Sequence, residues 1–210
     1  MPTYAPLIKV ASARRSGAEV ILHGANYDEA YERAREVEQA SGAVFVHPFD
    51  DARVIAGQGT MGLEILAQVD DLEAVVVPVG GGGLIAGVAL AIKARRPAVR
   101  VIGVEADAIA AMQRSLQARQ RVRVPAAPTI ADGIAVRQVG EVTFDLAARH
   151  VDEVVTVNEE ELANAILLLL EIEKTVVEGA GAAPSPRFST GRWGWPAVAW
   201  RSCSPAATST

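Results

Sequence analysis

Hydrophobic positions change period repeatedly along this chain. Ala5-Pro6-Leu7-Ile8-Lys9-Val10-Ala11 reads as a helix that Gly17 ends, and Ala18-Glu19-Val20-Ile21-Leu22-His23 as a short strand. Asp28 is placed to cap a second helix through about Gln39. In it Ala30, Ala34 and Val37 recur at helical spacing, while Glu29, Glu32, Arg33 and Glu36 make a solvated face. Gly42 closes that helix, and Ala43-Val44-Phe45-Val46 reads as the next strand. Such α-β-α-β alternation predicts a parallel sheet. A loop over His47-Pro48-Phe49-Asp50-Asp51 and a turn from Gly57 to Thr60 lead to a helix from Met61 to about Val69, capped by Thr60. Beyond it the pattern predicts a strand at 74–79, a helix from Leu84 to Ala94, a strand from Val99 to Glu105 and a helix from Ala108 to Gln117. After a loop at 119–130 come a helix from Val142 to Ala148 and a strand from Glu153 to Val157. Asn158 then opens a helix to about Lys174, with Glu161 at the capping-box position. The fold class expected is α/β, an open parallel sheet with helices on both faces.

One junction stands out in this alternation. Val75-Val76-Val77-Pro78-Val79 runs into Gly80-Gly81-Gly82-Gly83 and then into Leu84-Ile85-Ala86-Gly87. Strand, glycine turn and helix place a set of unpaired amides at a helix start, where the macrodipole also favours an anion. In a right-handed βαβ unit that turn lies at the carboxyl end of a parallel strand, where open α/β sheets bind ligands. Three readings are open here. The amides could hold a monophosphate. Gly81-x-Gly83-x-x-Ala86 also fits the dinucleotide fingerprint of an NAD-binding oxidoreductase domain, with Glu105 at the end of the next strand as its ribose acid. Against that, two predicted strands precede the motif, whereas the fingerprint usually opens its domain. Third, the glycines could simply pack strand against helix.

Composition narrows the functional classes. The chain has 210 residues and a net charge of −5, which argues against nonspecific nucleic-acid binding. It contains no run of 18 apolar residues, so no membrane span is expected, and Met1-Pro2-Thr3-Tyr4 lacks a basic-then-apolar pattern. The single Cys203 excludes an internal disulfide framework or a cysteine-rich metal centre. A cytoplasmic protein is the default expectation. His23, His47 and His150 are scattered, and no Ser-His-Asp arrangement can be argued; His47 reads as a packing residue. Arg119, Arg121 and Arg123 read as a solvated basic loop.

Taken as a series, three stretches resemble the threonine dehydratase and serine racemase branch of fold type II pyridoxal-phosphate enzymes. They are His47-Pro48-Phe49-Asp50 with Val54-Ile55-Ala56-Gly57-Gln58-Gly59-Thr60; Val77-Pro78-Val79-Gly80-Gly81-Gly82-Gly83-Leu84; and Thr129-Ile130-Ala131-Asp132-Gly133. Val155-Thr156-Val157 and Glu178-Gly179-Ala180-Gly181 extend the likeness over roughly residues 1–183. The resemblance implies a tryptophan synthase beta-like fold and pyridoxal 5'-phosphate as cofactor. It implies a small amino-acid substrate, threonine or serine, converted to a 2-oxo acid and ammonia, with a place in amino-acid metabolism such as isoleucine biosynthesis. It implies a homo-oligomer. Gly80, Gly81, Gly82, Gly83 and Leu84 would hold the cofactor phosphate through their amides. Gly133 would bring backbone near the cofactor ring, with Asp132 shaping its loop. Glu178 matches an acid near the ring, or caps the helix after it. Glu105 matches a cation ligand of the serine racemase branch, but the second acid of that pair is Ala111 here, so no metal is assigned.

Two departures qualify the likeness. The family's lysine, which carries the cofactor as an imine in a serine-phenylalanine-lysine type motif, has no counterpart: the lysines are Lys9, Lys93 and Lys174, each in a predicted helix. No catalytic residue is therefore assigned. The chain reads as a fragment, inactive alone, whose likeness starts inside the family's first half. After Ala183 the composition changes: all 25 acidic residues precede it, and Trp193, Trp195, Trp200 and Cys203 follow it. The expected organisation is a remnant of the small domain at 1–50, a large cofactor-phosphate-binding domain at 51–183, and an aberrant tail at 184–210. That tail is expected to be a disordered, frameshifted reading of the family's C-terminus, which the coding DNA would test.

Overall fold

The computed structural model describes residues 1–186. They fall into two compact units, Met1–Val46 and a second that begins at His47. The expected frameshifted tail lies, from residue 187 on, outside the described residues.

The first unit contains helices α1 (Leu7–Arg15) and α2 (Tyr27–Ser41). Asn26, rather than Asp28, caps α2. Its side chain accepts from the Glu29 amide at 3.1 Å, and the Glu29 carboxylate accepts from the Ala25 amide at 2.8 Å, so two open donors are satisfied reciprocally. Gly42 ends α2 in the left-handed conformation, φ 71°. The two strands expected here do not form ladders. Residues 18–23 form no regular element, and Met1 donates to the Ile21 carbonyl at 2.8 Å while the His23 amide donates to the Met1 carbonyl at 2.9 Å. That pairing is too short for a strand, and Val44 and Val46 in the second segment are exposed. Apolar alternation alone does not make a strand where no neighbour supplies the hydrogen bonds.

The second unit is built on a parallel sheet in the order β1-β2-β3: Ala74–Pro78, Arg100–Ala106 and Glu153–Val157. Val75 to Val77 and Val101 to Ala106 are buried, and apart from Glu105 they are apolar, as strands covered on both faces must be. Helix α3 (Ala52–Gln68) precedes β1, α4 (Gly83–Arg95) joins β1 to β2, and α5 (Ala111–Ala118) and α6 (Glu141–His150) lie between β2 and β3. The expected turn at Gly57–Thr60 is instead the middle of α3, which starts at Ala52 with the Asp51 side chain accepting from the Arg53 amide. Thr60 therefore caps nothing; its hydroxyl donates to the Gly57 carbonyl at 2.8 Å. The glycines serve close packing: a Cβ on Gly62 would lie 3.0 Å from the Val88 carbonyl oxygen, and one on Gly59 3.1 Å from that of Gly87. α3 thus lies backbone to backbone on α4 and fixes it against the sheet. Gly103 of β2 likewise makes room for Ile85, whose Cδ1 would lie 2.9 Å from an added Cβ.

Helix α7 (Glu159–Glu171) begins with the expected capping box, the Asn158 and Glu161 side chains each accepting the other's amide at 2.9 Å. A short helix α8 (Gly179–Ala182) closes the described chain. At the opposite end of β2, Lys93 donates to the Val99 carbonyl at 2.8 Å and pairs with Asp152 at 2.7 Å. Burial pushes the Asp152 carboxyl up, but the Lys93 hydrogen bond, the Val101 amide and the charges of Lys93 and Arg100 outweigh it and hold it below the usual range.

Candidate functional site

The turn after β1 contains Gly80, Gly81, Gly82, Gly83 and Leu84, the residues read from the sequence as an anion cradle. Gly82 takes φ +97°, a conformation that side chains resist. This kink turns the chain from the sheet into α4. Gly81, Gly82 and Gly83 are buried, yet among the described residues their amides, and those of Gly80 and Leu84, donate to no protein acceptor. A donor kept from water without a partner costs about 1–3 kcal/mol, so several together at one turn favour an acceptor there, water or a ligand oxygen. The α4 macrodipole adds about 0.3–1 kcal/mol in favour of an anion there. A phosphate oxygen cluster fits that donor set.

The turn is walled by neighbours that approach because side chains are missing. A Cβ on Gly81 would run into the Phe49 ring, one on Gly83 would lie 3.0 Å from the Phe49 Cα, and one on Gly80 would lie 3.0 Å from the Ile134 Cα. Packing and anion holding are therefore not rivals: neighbours fill the Cβ positions and leave the amides unspent. The contact at Gly80 also brings in the single-turn helix Asp132–Ile134, which contains Gly133. A Cβ on Gly133 would meet the Ala180 methyl at 3.1 Å and the Glu178 Oε1 at 3.4 Å. Glu178 precedes α8 but makes no capping hydrogen bond. The glycine turn, the Gly133 turn and Glu178 are thus adjoining parts of one region.

Glu105 does not take the ribose-binding role that its position offered. It is 1% exposed, and its two oxygens accept from the Met112 and Gln113 amides at 2.8 Å, capping α5 from the side. Desolvation outweighs those hydrogen bonds and pushes its carboxyl up to about 7. A ribose hydroxyl could not reach it. Among the described residues no three metal-ligating side chains come together. Arg119, Arg121 and Arg123 are exposed, as expected of a solvated loop.

Three residues at the turn were not assigned roles from the sequence. Phe49 walls it, the Asp50 carboxylate accepts from the Glu141, Val142 and Thr143 amides at 2.9, 3.0 and 3.2 Å, and the Thr143 hydroxyl donates to the Gly81 carbonyl at 2.7 Å. Phe49 and Asp50 belong to the His47-Pro48-Phe49-Asp50 motif; nothing in the sequence marks Thr143. His47 does more than pack: its Nδ1 accepts from the Phe49 and Asp50 amides at 3.2 and 2.8 Å, so the ring is held as the tautomer protonated on Nε2.

The sequence profile of the family described as pyridoxal-phosphate dependent enzyme matches residues 1–185. The chain belongs to that family. It is 57% identical over 182 residues to an L-threonine ammonia-lyase of Thermotoga maritima, an overlap of 87% of this chain and 45% of that protein. Its fold superimposes on a threonine deaminase from Solanum lycopersicum with a TM-score of 0.83 and 41% identity, covering 89% of this chain and 54% of the other. For maize serine racemase the values are 0.82 and 35%, covering 87% and 55%. The chain thus spans about half the length of the relatives it matches.

Membership fixes the fold as the fold type II arrangement expected from the sequence, and the family's chemistry as pyridoxal-phosphate dependent. The lysines of the second unit serve structure. Lys93 sits in the last turn of α4, far from Gly83 along the helix axis, and is held by Asp152; Lys174 donates to the Glu171 carbonyl at 2.7 Å. Lys9 belongs to α1 of the first unit. No helix among the described residues is long and apolar enough to cross a membrane.

Proposed function

We propose that the second unit holds the phosphate of pyridoxal 5'-phosphate on the amides of Gly80 to Leu84, within a threonine or serine ammonia-lyase that yields a 2-oxo acid and ammonia. The observation that carries this is the run of amides, Gly80 to Leu84, that find no protein acceptor among the described residues where the buried glycine turn starts α4. The threonine ammonia-lyase and deaminase relatives support the substrate class. When bound, the cofactor supplies an electron sink for the charge developed at a substrate Cα. The chain's own residues then have three tasks. The five amides fix the phosphate and so set where the rest of the cofactor lies. Phe49 and Ile134 close the packed side of the turn to water. Gly133, without a side chain, lets backbone come near the ring, with Glu178 beside it.

The reading extends to a cytoplasmic protein that forms homo-oligomers and binds no nucleic acid, as the net charge of −5 favours. It assigns no catalytic residue to this chain. The chain alone holds the cofactor phosphate and does not turn threonine over, because Lys93 and Lys174 are committed elsewhere. Thermal melting with three ligands tests the reading. Pyridoxal 5'-phosphate at a hundred times its Kd stabilises by about 2.7 kcal/mol, which raises Tm by roughly 5–10 °C for a chain of this size, and pyridoxal without phosphate does much less. Stabilisation by NADH instead, or equal shifts from the phosphorylated and unphosphorylated forms, would overturn it.

A further inference from the structure

We infer that Asp50 and Thr143 are positioning residues for the glycine turn, acting through the first turn of α6 to aim the Gly82 amide at the anion. The inference rests on the phosphate-holding reading above and names what makes that cradle hold its shape.

The chain of contacts is continuous. His47 Nδ1 accepts from the Phe49 and Asp50 amides and so sets the turn that presents both side chains. The Asp50 carboxylate receives three successive amides of the α6 start, from residues more than ninety positions away. With those donors taken, the α6 N-terminus has its own resident carboxylate and offers nothing to a second anion. The seating is tight, since a Cβ on Gly140 would collide with the Asp50 carboxyl. From this fixed helix start, two donors converge on one acceptor: the Gly140 amide at 3.2 Å and the Thr143 hydroxyl at 2.7 Å both reach the Gly81 carbonyl. Thr143 is fully buried. In a trans peptide the carbonyl and the following N–H point in opposite directions. Anchoring the Gly81 carbonyl toward α6 therefore turns the Gly82 N–H away from α6, to the side where its partner must come from the ligand. Gly82 itself, at φ +97°, has no side chain to hold that peptide plane, so the anchor must come from a neighbour.

The test titrates the 210-residue chain with pyridoxal 5'-phosphate, with inorganic phosphate and with pyridoxal, in the parent and in Thr143→Val, Thr143→Ser and Asp50→Asn. Thr143→Val keeps the shape and removes the hydroxyl; Thr143→Ser keeps the hydroxyl. Leaving the Gly81 carbonyl with the longer Gly140 amide bond alone is expected to weaken the two phosphate ligands about tenfold in Thr143→Val, with pyridoxal unchanged and Thr143→Ser close to the parent. Asp50→Asn, which puts an amide group against the α6 donors, is expected to weaken the same two ligands. A role confined to stability would lower Tm without changing the ratio of phosphorylated to unphosphorylated affinity. If the parent selects phosphate and Thr143→Val selects it equally, the positioning role is wrong and the cradle stands. If the parent shows no preference for phosphate, both are wrong.

Discussion

Two substitutions of the same kind, on two packed helices, should move stability in opposite directions. Gly57 lies in α3 on an exposed face, with nothing within 4 Å of where a Cβ would go. Gly57→Ala there gains helix propensity alone, about 0.5–1 kcal/mol. Gly87 lies in α4 where α3 crosses it. A Cβ on Gly87 would drive into the Ile55 carbonyl and lie 2.7 Å from the Gly59 amide nitrogen and 3.0 Å from the Gln58 Cβ. Two of those neighbours are backbone of a helix, so relief requires α3 to move off α4 as a body. Overpacking of this kind costs about 1–3 kcal/mol when side chains can adjust, and here the yielding element is a whole helix, so the upper end applies. The propensity gain of roughly 1 kcal/mol offsets part of it, leaving Gly87→Ala about 2 kcal/mol less stable. Urea denaturation followed by far-UV circular dichroism measures both. Gly57→Ala should raise the midpoint and Gly87→Ala lower it, at unchanged slope. A neutral or stabilising Gly87→Ala would show that α3 and α4 do not meet through their glycines.

Other consequences can be checked singly. Glu105 gives up its proton at about 7 in the folded chain against 4.5 when unfolded, so the unfolded state ionises first and stability falls as pH rises between those values; melting from pH 5 to pH 8 should show that fall in the parent and a flatter profile in Glu105→Gln. Asp152 behaves oppositely: its carboxyl is held low by Lys93, so the stability it contributes is present above the ordinary carboxylate range and is lost as acid protonates it, and Asp152→Asn should flatten the acid limb of the melting profile below about pH 4. The purified chain supplied with pyridoxal 5'-phosphate should release no ammonia from threonine, and Lys93→Met should leave its affinity for the cofactor unchanged while lowering its Tm.

The second unit was legible in the sequence to the extent that its signals were local. The Val75–Val79 run, the Asn158–Glu161 capping box and the four glycines each carry their structure in a few adjacent residues, and β1, α7 and the turn form where they predict. Glycines misled where their reason was tertiary. Gly57 and Gly59 read as a turn, but Gly59 and Gly62 are small because α4 lies against them, and the helix runs through from Ala52. Glu105 illustrates the same limit: its spacing from Gly83 suited a ribose, and only the fold shows both oxygens taken by α5. Asp50 acts across more than ninety residues and Thr143 across 62, beyond the reach of any periodicity or local motif. The strands expected at 18–23 and 43–46 had the right alternation but found no ladder among the described residues of their unit.

The central claim is that the amides of Gly80 to Leu84 receive an anion. Amide chemical shifts of ¹⁵N-labelled chain during titration with inorganic phosphate test it residue by residue. The largest downfield shifts should fall on Gly80, Gly81, Gly82, Gly83 and Leu84, saturating together and reversing when the phosphate is dialysed away. Shifts confined to the Arg119–Arg123 loop, or no saturable shifts at the glycine turn, would contradict it.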